Sequence, residues 1–114
     1  MGGSFSTSEQ HAQPALRPLR VASLKGGVYA EAKNLVGDLP GWELVRADDE
    51  RLVLECRRAG GLLGGMADIE IRVEGPDEMP SSTVHVSSRS TGGLLSRDKR
   101  YVTEFLVPFH RRVC

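Results

Sequence analysis

The stretch that decides the fold reads Leu62-Leu-Gly-Gly-Met-Ala-Asp-Ile-Glu-Ile-Arg-Val-Glu74 and, after a Gly-Pro loop, Thr83-Val-His-Val-Ser-Ser-Arg-Ser-Thr-Gly-Gly93. Apolar and polar residues alternate in both halves, which is the pattern of a strand with one buried and one solvated face. The inward positions are Ala67, Ile69, Ile71, Val73, Val84, Val86 and Ser88. The stretch therefore predicts two half-buried strands joined by a loop.

Further elements flank this pair on both sides. We predict strands over residues 19–24, 42–46 and 52–57, and a helix over residues 28–37 that ends at the Gly37–Gly41 segment. A last helix carries an apolar stripe that includes Tyr101, Phe105 and Phe109. Ser96 suits its N-cap, and Pro108 is expected to kink or end it near Val107.

The predicted order is strand, helix, four strands, helix, within a single domain over residues 17–114. Four consecutive strands with short connections favour an antiparallel meander. Two helices with one apolar stripe each would cover one face of that sheet. We therefore predict a two-layer α+β sandwich with an antiparallel sheet of about five strands. The opposite face, rich in residues of alternating charge, is expected to be solvated.

Composition excludes several classes of function. Lys+Arg and Asp+Glu both number 15, and this balance argues against a nucleic-acid partner. No run approaches eighteen apolar residues, so no membrane-spanning helix is expected. Cys56 and Cys114 lie far apart, which fits a reduced, cytoplasmic setting and gives a disulfide no support.

Residues 1–16 are rich in Gly, Ser, Gln and Pro without periodicity, and we expect them to be disordered. Within them, Gly2 and Ser6 fit the N-myristoylation pattern. The alternative is that a flexible N-terminal segment matches this loose pattern by chance. A lipid on Gly2 would add peripheral membrane contact. A single chain anchors only weakly, and no polybasic second signal is present.

The chain resembles a family of small uncharacterised domains known as domain of unknown function 1499. Its members share a run of the type Leu-Phe-Gly-Phe-Val-Asp-Asp-Val-Glu-Ile, which here takes the form of residues 63–71. They also share a strand that ends in Arg-Ser-x-Ser-Arg, here residues 84–90, a strand at Trp42 and a final helix. The resemblance covers about residues 24–107 and implies the fold, with no activity attached.

The chain also departs from that family in two places. Residues 92–98 replace its Gly-x-Ser-Asp-Leu-Gly-x-Asn segment before the last helix. Only Asp68 remains of the family's paired acids, and Gly64 and Gly65 stand where aromatic residues are usual. A site carried by those family positions would be lost here.

Residues with catalytic or metal-binding chemistry are scattered in this sequence. The histidines and cysteines lack the close spacing of a zinc site, and we expect no metal and no cofactor. His85 with Ser87, Ser88 or Ser90 is the only set that could support a hydrolase, and these read better as ordinary strand residues. Asp68 and Arg89 should share a face of adjacent strands, as an anion site or as a simple ion pair.

The tetrapeptide Gly-Gly-Leu-Leu occurs twice, at residues 60–63 and 92–95. Each copy follows a strand, and in a meander these two strands run in the same direction. Both copies should then meet at one end of the sheet. Leu62, Leu63, Leu94 and Leu95 would form an exposed contact surface there, or they would fold inward and close the end of the core.

We therefore expect a non-catalytic accessory module that binds an unknown protein partner through the glycine-leucine end, with a lipid on Gly2 as a membrane contact. The alternative is a binding module for a small apolar molecule or lipid, with a cavity between the sheet and the C-terminal helix. A small hydrolase is the third hypothesis. The oligomeric state is not predicted by the sequence.

Overall fold

The computed structural model describes residues 3–59, 65–91 and 97–114. Six strands and two α-helices lie within these ranges. They are β1 (Gly3–Ser6), β2 (Leu19–Val21), α1 (Lys25–Asp38), β3 (Trp42–Asp48), β4 (Val53–Ala59), β5 (Met66–Glu74), β6 (Ser82–Thr91) and α2 (Asp98–Val113). A short 3-10 helix, Pro14–Leu16, precedes β2.

The strands form one antiparallel sheet in the order β1-β6-β5-β4-β3, and β2 pairs with β6 as well. β1 takes the C-terminal half of the β6 edge, where Ser4 pairs with Arg89, and β2 takes the N-terminal half, where Leu19 pairs with Val84. The run from β3 to β6 is a meander of neighbouring strands, as predicted. The α+β class is confirmed, with six strands rather than about five.

Alternation along the strands puts the core on one face of the sheet. Ala67, Ile69, Ile71 and Val73 of β5 are all at most 2% exposed, whereas their neighbours in the sequence are exposed. Both helices pack against this buried face. Their buried side chains include Val28, Ala32 and Val36 of α1 and Val102, Phe105 and Phe109 of α2.

The N-terminal segment differs from the expectation of disorder. Residues 3–6 form β1, and Leu16 in the 3-10 helix is 1% exposed. The physical reason is the free edge of β6, whose backbone N–H and C=O groups need partners. A four-residue strand is too short to show a period in the sequence, so pairing to β6 is what defines it.

The last helix also differs from its prediction. It continues through Pro108 to Val113 instead of ending near Val107. Phe105 and Phe109, on either side of the proline, are both fully buried, and their packing outweighs a local cost of about 3 kcal/mol. The predicted N-cap Ser96 lies outside the described residues. Arg97 directly precedes the helix, and its side chain makes no capping hydrogen bond.

Candidate functional site

Asp68 and Arg89 lie on adjacent strands of the open face of the sheet, and β5 and β6 place them directly opposite each other. The predicted juxtaposition is therefore correct, but the predicted ion pair is not. Asp68 Oδ1 lies 3.7 Å from Arg57 Nε of β4. The Arg89 side chain makes no ion pair or hydrogen bond with another residue in the described ranges. Arg57 and Arg89 flank Asp68 on both sides, and the strand register lets either one reach it.

These residues belong to a shallow trough of about 560 Å³ on the open face. Three arginines and three carboxylates line it: Arg46, Arg57, Arg89, Glu55, Asp68 and Glu70. They occupy two adjacent cross-strand rows, because Arg57, Asp68 and Arg89 are paired in register and Glu55 is paired with Glu70. The numbers of positive and negative side chains that line the trough are therefore equal.

His85 lies on the same open face, with its side chain 28% exposed. Its Nε2 is 3.2 Å from Glu74 Oε2. Within the described ranges, no serine hydroxyl is hydrogen-bonded to this imidazole, so the pairing of nucleophile and base that a hydrolase needs is not formed here. Ser88 is buried on the opposite face of β6.

Ser88 and Ser90 instead belong to a buried polar cluster under the start of α2. Both hydroxyls donate to Asp98 Oδ1 at 2.6 Å, and all three residues are at most 3% exposed. The sequence placed Ser88 inward but gave no sign of a carboxylate partner. The cluster joins β6 to the first turn of α2, where a carboxylate also suits the helix dipole.

A second polar cluster joins β3, β4 and α2. Glu104 accepts hydrogen bonds from the Trp42 indole N–H and from Arg58, with Arg58 Nε 2.7 Å from Oε1 and Nη2 3.2 Å from Oε2. The Arg58 guanidinium also stacks over the Tyr101 ring at 5.3 Å. Gly41 precedes Trp42 with φ +81°, and a Cβ there would meet Arg58 Nη1 at 2.5 Å.

This network shifts the pKa values of both ionised partners. Burial would raise the pKa of Glu104, but the hydrogen bonds from Arg58 and Trp42 outweigh it and hold that pKa below its ordinary value. The hydrogen bond to Glu104 raises the pKa of Arg58. Both groups therefore stay charged, and the network acts as a structural clamp between the sheet and α2.

An apolar opening, the edge cleft, lies between α2 and the N-terminal segment. It has a volume of about 430 Å³. Its lining residues are Pro14, Ala15, Arg17, Pro18, Leu19, Leu106, Val107, His110 and Arg111. Leu19 belongs to β2, so one wall of the edge cleft is the margin of the sheet and the other is the C-terminal helix.

The edge cleft lies beside the interface between the sheet and the last helix, where the second hypothesis expected an enclosed cavity. The centre of that interface is filled by aromatic side chains: the Phe105 ring lies 6.0 Å from Trp42 and 5.0 Å from Phe109. Interleaved rings at these distances leave no room for a ligand there. The edge cleft is in contact with both layers, and its lining is mainly apolar.

The glycine-leucine end is only partly visible. Leu62, Leu63, Leu94 and Leu95, like Gly2, lie outside the described residues. The strand register nevertheless places Ala59 beside Met66, and Met66 beside Thr91. The described ends of β4 and β6 therefore lie at the same end of the sheet, on either side of Met66.

The residues that the structure describes show neither a metal-binding cluster nor a membrane-spanning helix. No group of three or more His, Cys, Asp or Glu side chains is placed to hold a metal ion in these ranges. In the same ranges, neither helix has the length and apolar character required to cross a bilayer.

The edge-cleft residues were missed by sequence reasoning. From the sequence alone, Leu106 falls on the apolar stripe of the last helix beside Phe105, and Pro14 falls in the segment that is predicted to be disordered. The one available signal was the run Val107 to Arg111, in which an exposed valine and two basic residues lie beside the buried stripe. Nothing local in that run indicates that residues 14–19 pack against it.

The chain has a fold similar to a solved structure, the Zhui aromatase/cyclase from Streptomyces sp. R1128. The TM-score is 0.57 at 12% sequence identity, over 98% of this chain and 86% of that one. No family model matches this chain, and no curated protein matches it. At this identity the similarity is one of fold.

Proposed function

We propose that this protein binds a small, mainly apolar molecule in the edge cleft. The observation that carries this proposal is the cleft itself, an opening of about 430 Å³ with an apolar lining between β2 and α2. Small-molecule sites have volumes of roughly 300–1,000 Å³ and are lined mainly by apolar side chains with a few polar groups. The edge cleft meets both criteria.

Two further observations support this function. Val107 is 42% exposed and faces the cleft, so apolar surface is available to a ligand without unfolding any element. The solved structure of similar fold is an aromatase/cyclase, and a sheet-and-helix scaffold of this kind can therefore serve a protein that acts on an organic molecule.

The test compares ligand binding by the wild-type protein with binding by a variant in which a larger side chain fills the cleft. Octan-1-ol, an uncharged apolar probe, is titrated into the isotope-labelled protein while backbone amide shifts are recorded by NMR. We expect saturable shifts at Leu19, Leu106 and Val107, and we expect Val107→Trp to abolish them because the indole occupies the site.

The matched control is Val45→Trp, an exposed valine on β3 that does not line the edge cleft. It adds the same side chain and should leave the titration unchanged. Absence of saturable shifts at the cleft amides in the wild-type protein, or equal loss in both variants, would show that the cleft is not a binding site.

A second candidate function is protein interaction at the glycine-leucine end. Met66, at that end of β5, is 42% exposed, and the strands that precede the two Gly-Gly-Leu-Leu tetrapeptides end on either side of it. An exposed apolar surface of this kind suits a protein partner. A lipid on Gly2 would hold the same module at a membrane.

This candidate is tested by replacing Leu62, Leu63, Leu94 and Leu95 with serine together. The proposal expects a partner captured by the wild-type protein to be lost, while circular dichroism and thermal unfolding stay unchanged. If the variant unfolds, the leucines belong to the core and this function is rejected. Mass spectrometry of the native N-terminus decides the lipid question separately.

A further inference from the structure

The edge cleft is lined by basic side chains and by no acidic one among the described residues. Arg17, His110 and Arg111 line it, and no Asp or Glu is among its described lining residues. This contrasts with the open-face trough, where arginines and carboxylates are equal in number. A cleft with apolar walls and only basic groups favours an anion attached to an apolar body.

Two of these basic groups are free to act on a ligand. Arg17 is already engaged, because its guanidinium donates to the carbonyl oxygens of His11 at 2.6 Å and Ala12 at 3.2 Å. The side chains of His110 and Arg111 make no hydrogen bond or ion pair with another residue in the described ranges. Both groups offer N–H donors, and the arginine offers a fork that matches a carboxylate.

Neighbouring arginines lack this freedom. Arg112 Nη2 lies 2.7 Å from Asp38 Oδ2, and Arg20 Nη2 lies 3.2 Å from Glu9 Oε1. The cations next to the edge cleft in the sequence are therefore paired with carboxylates, whereas Arg111 is not. Arg111 is therefore available to a ligand at the cleft.

We propose that the ligand is an anionic amphiphile, an alkyl or aryl carboxylate whose head pairs with Arg111 and His110. Its apolar body would lie on Leu19, Leu106 and Val107. This inference rests on the proposed function and adds the chemical class of the ligand. A free molecule is the occupant that fits, because the groove is concave and closed on two sides by β2 and α2, whereas a membrane needs a protruding apolar surface.

The experiment compares two probes that share an alkyl chain and differ in the head. Affinities for octanoate and octan-1-ol are measured by NMR titration on the wild-type protein and its variants. We expect octanoate to bind about tenfold more tightly, a difference equivalent to about 1.4 kcal/mol. Arg111→Gln should remove this advantage and leave octan-1-ol affinity unchanged, and Arg111→Lys should retain part of it.

Arg89→Gln is the matched control, since Arg89 is also exposed and unpaired within the described ranges but lies on the open face. It should preserve the preference for octanoate. If both probes bind equally to the wild-type protein, the inference about the head group fails and the proposed function stands. If neither binds, the proposed function itself fails.

A membrane is the other possible source of anionic head groups. Vesicles of phosphatidylglycerol are therefore tested by co-sedimentation at physiological salt. Free-ligand binding predicts no sedimentation with these vesicles. Sedimentation that Arg111→Gln abolishes, together with equal affinities for the two soluble probes, would instead identify a lipid surface as the partner and overturn the inference.

Discussion

Glu104 shows how one side chain joins three elements of this protein. It is one-quarter exposed, and it receives donors from β3 and β4 while belonging to α2. Such a partly buried ion pair contributes mainly through its hydrogen bonds, and its removal leaves donors that water satisfies only in part. The clamp fixes the position of α2 against the sheet, and α2 supplies one wall of the edge cleft.

We expect Glu104→Gln to lower the free energy of unfolding by about 2 kcal/mol, because hydrogen bonds to a charged acceptor are weakened and Arg58 loses its counter-ion. Urea unfolding followed by Trp42 fluorescence measures the change. The matched control is Glu55→Gln, an exposed carboxylate 3.8 Å from Arg46, which should change stability by less than about 0.5 kcal/mol. Equal losses in both variants would contradict a special role for Glu104.

The loss of stability in the Glu104→Gln variant should depend on pH. Because folding lowers the pKa of Glu104, its stabilisation is fully present above the ordinary value of 4.5 and is lost as the pH falls through the lowered folded value. The difference in stability between the wild-type protein and Glu104→Gln should therefore shrink as the pH falls below that range. A difference that stays constant down to acid unfolding would show that the carboxylate is not charged in the clamp.

At the scale of elements, the sequence predicted what alternation and periodicity encode. The β5 and β6 strands carry a strict period of two that survives in the structure as a buried and an open face. The meander followed from short connections, and the placement of Asp68 opposite Arg89 followed from the meander. These features are local or depend only on nearest neighbours along the chain.

Elements that depend on distant partners were missed or misjudged. β1 exists because it pairs with Ser87–Ser90, far along the chain, and α2 continues past Pro108 because Phe109 packs into the core. The edge cleft needs residues 14–19 and the last turns of α2 to meet, which no periodicity reports. The Asp98 cluster was missed for the same reason, because its two serines lie on β6 and its carboxylate lies on α2.

At the scale of the whole molecule, the described residues form one sheet with a single buried face and two α-helices that share it. Polar clusters at Asp98 and Glu104 hold α2 against that face, and the N-terminal segment closes the β6 edge. A ligand site at the margin of this assembly needs no opening of the core. The edge cleft can therefore fill and empty while the central packing of Trp42, Phe105 and Phe109 stays intact.

The two cysteines provide a test of that single core. Cys56 lies on β4, between β3 and β5, is 2% exposed, and has its pKa raised by burial to about 12. Cys114 is exposed. Since a buried, protonated thiol reacts only after the sheet and helices separate, the Cys114 thiol of the native protein should react promptly with Ellman's reagent. The Cys56 thiol should react only at the rate of global unfolding.

The Cys114→Ser variant should lose the fast phase and show only the slow phase. Urea should accelerate this slow phase in step with the loss of Trp42 fluorescence. Prompt reaction of Cys56 in the Cys114→Ser variant without urea would mean that β4 is exposed by local opening, and the account of one cooperative core would fail.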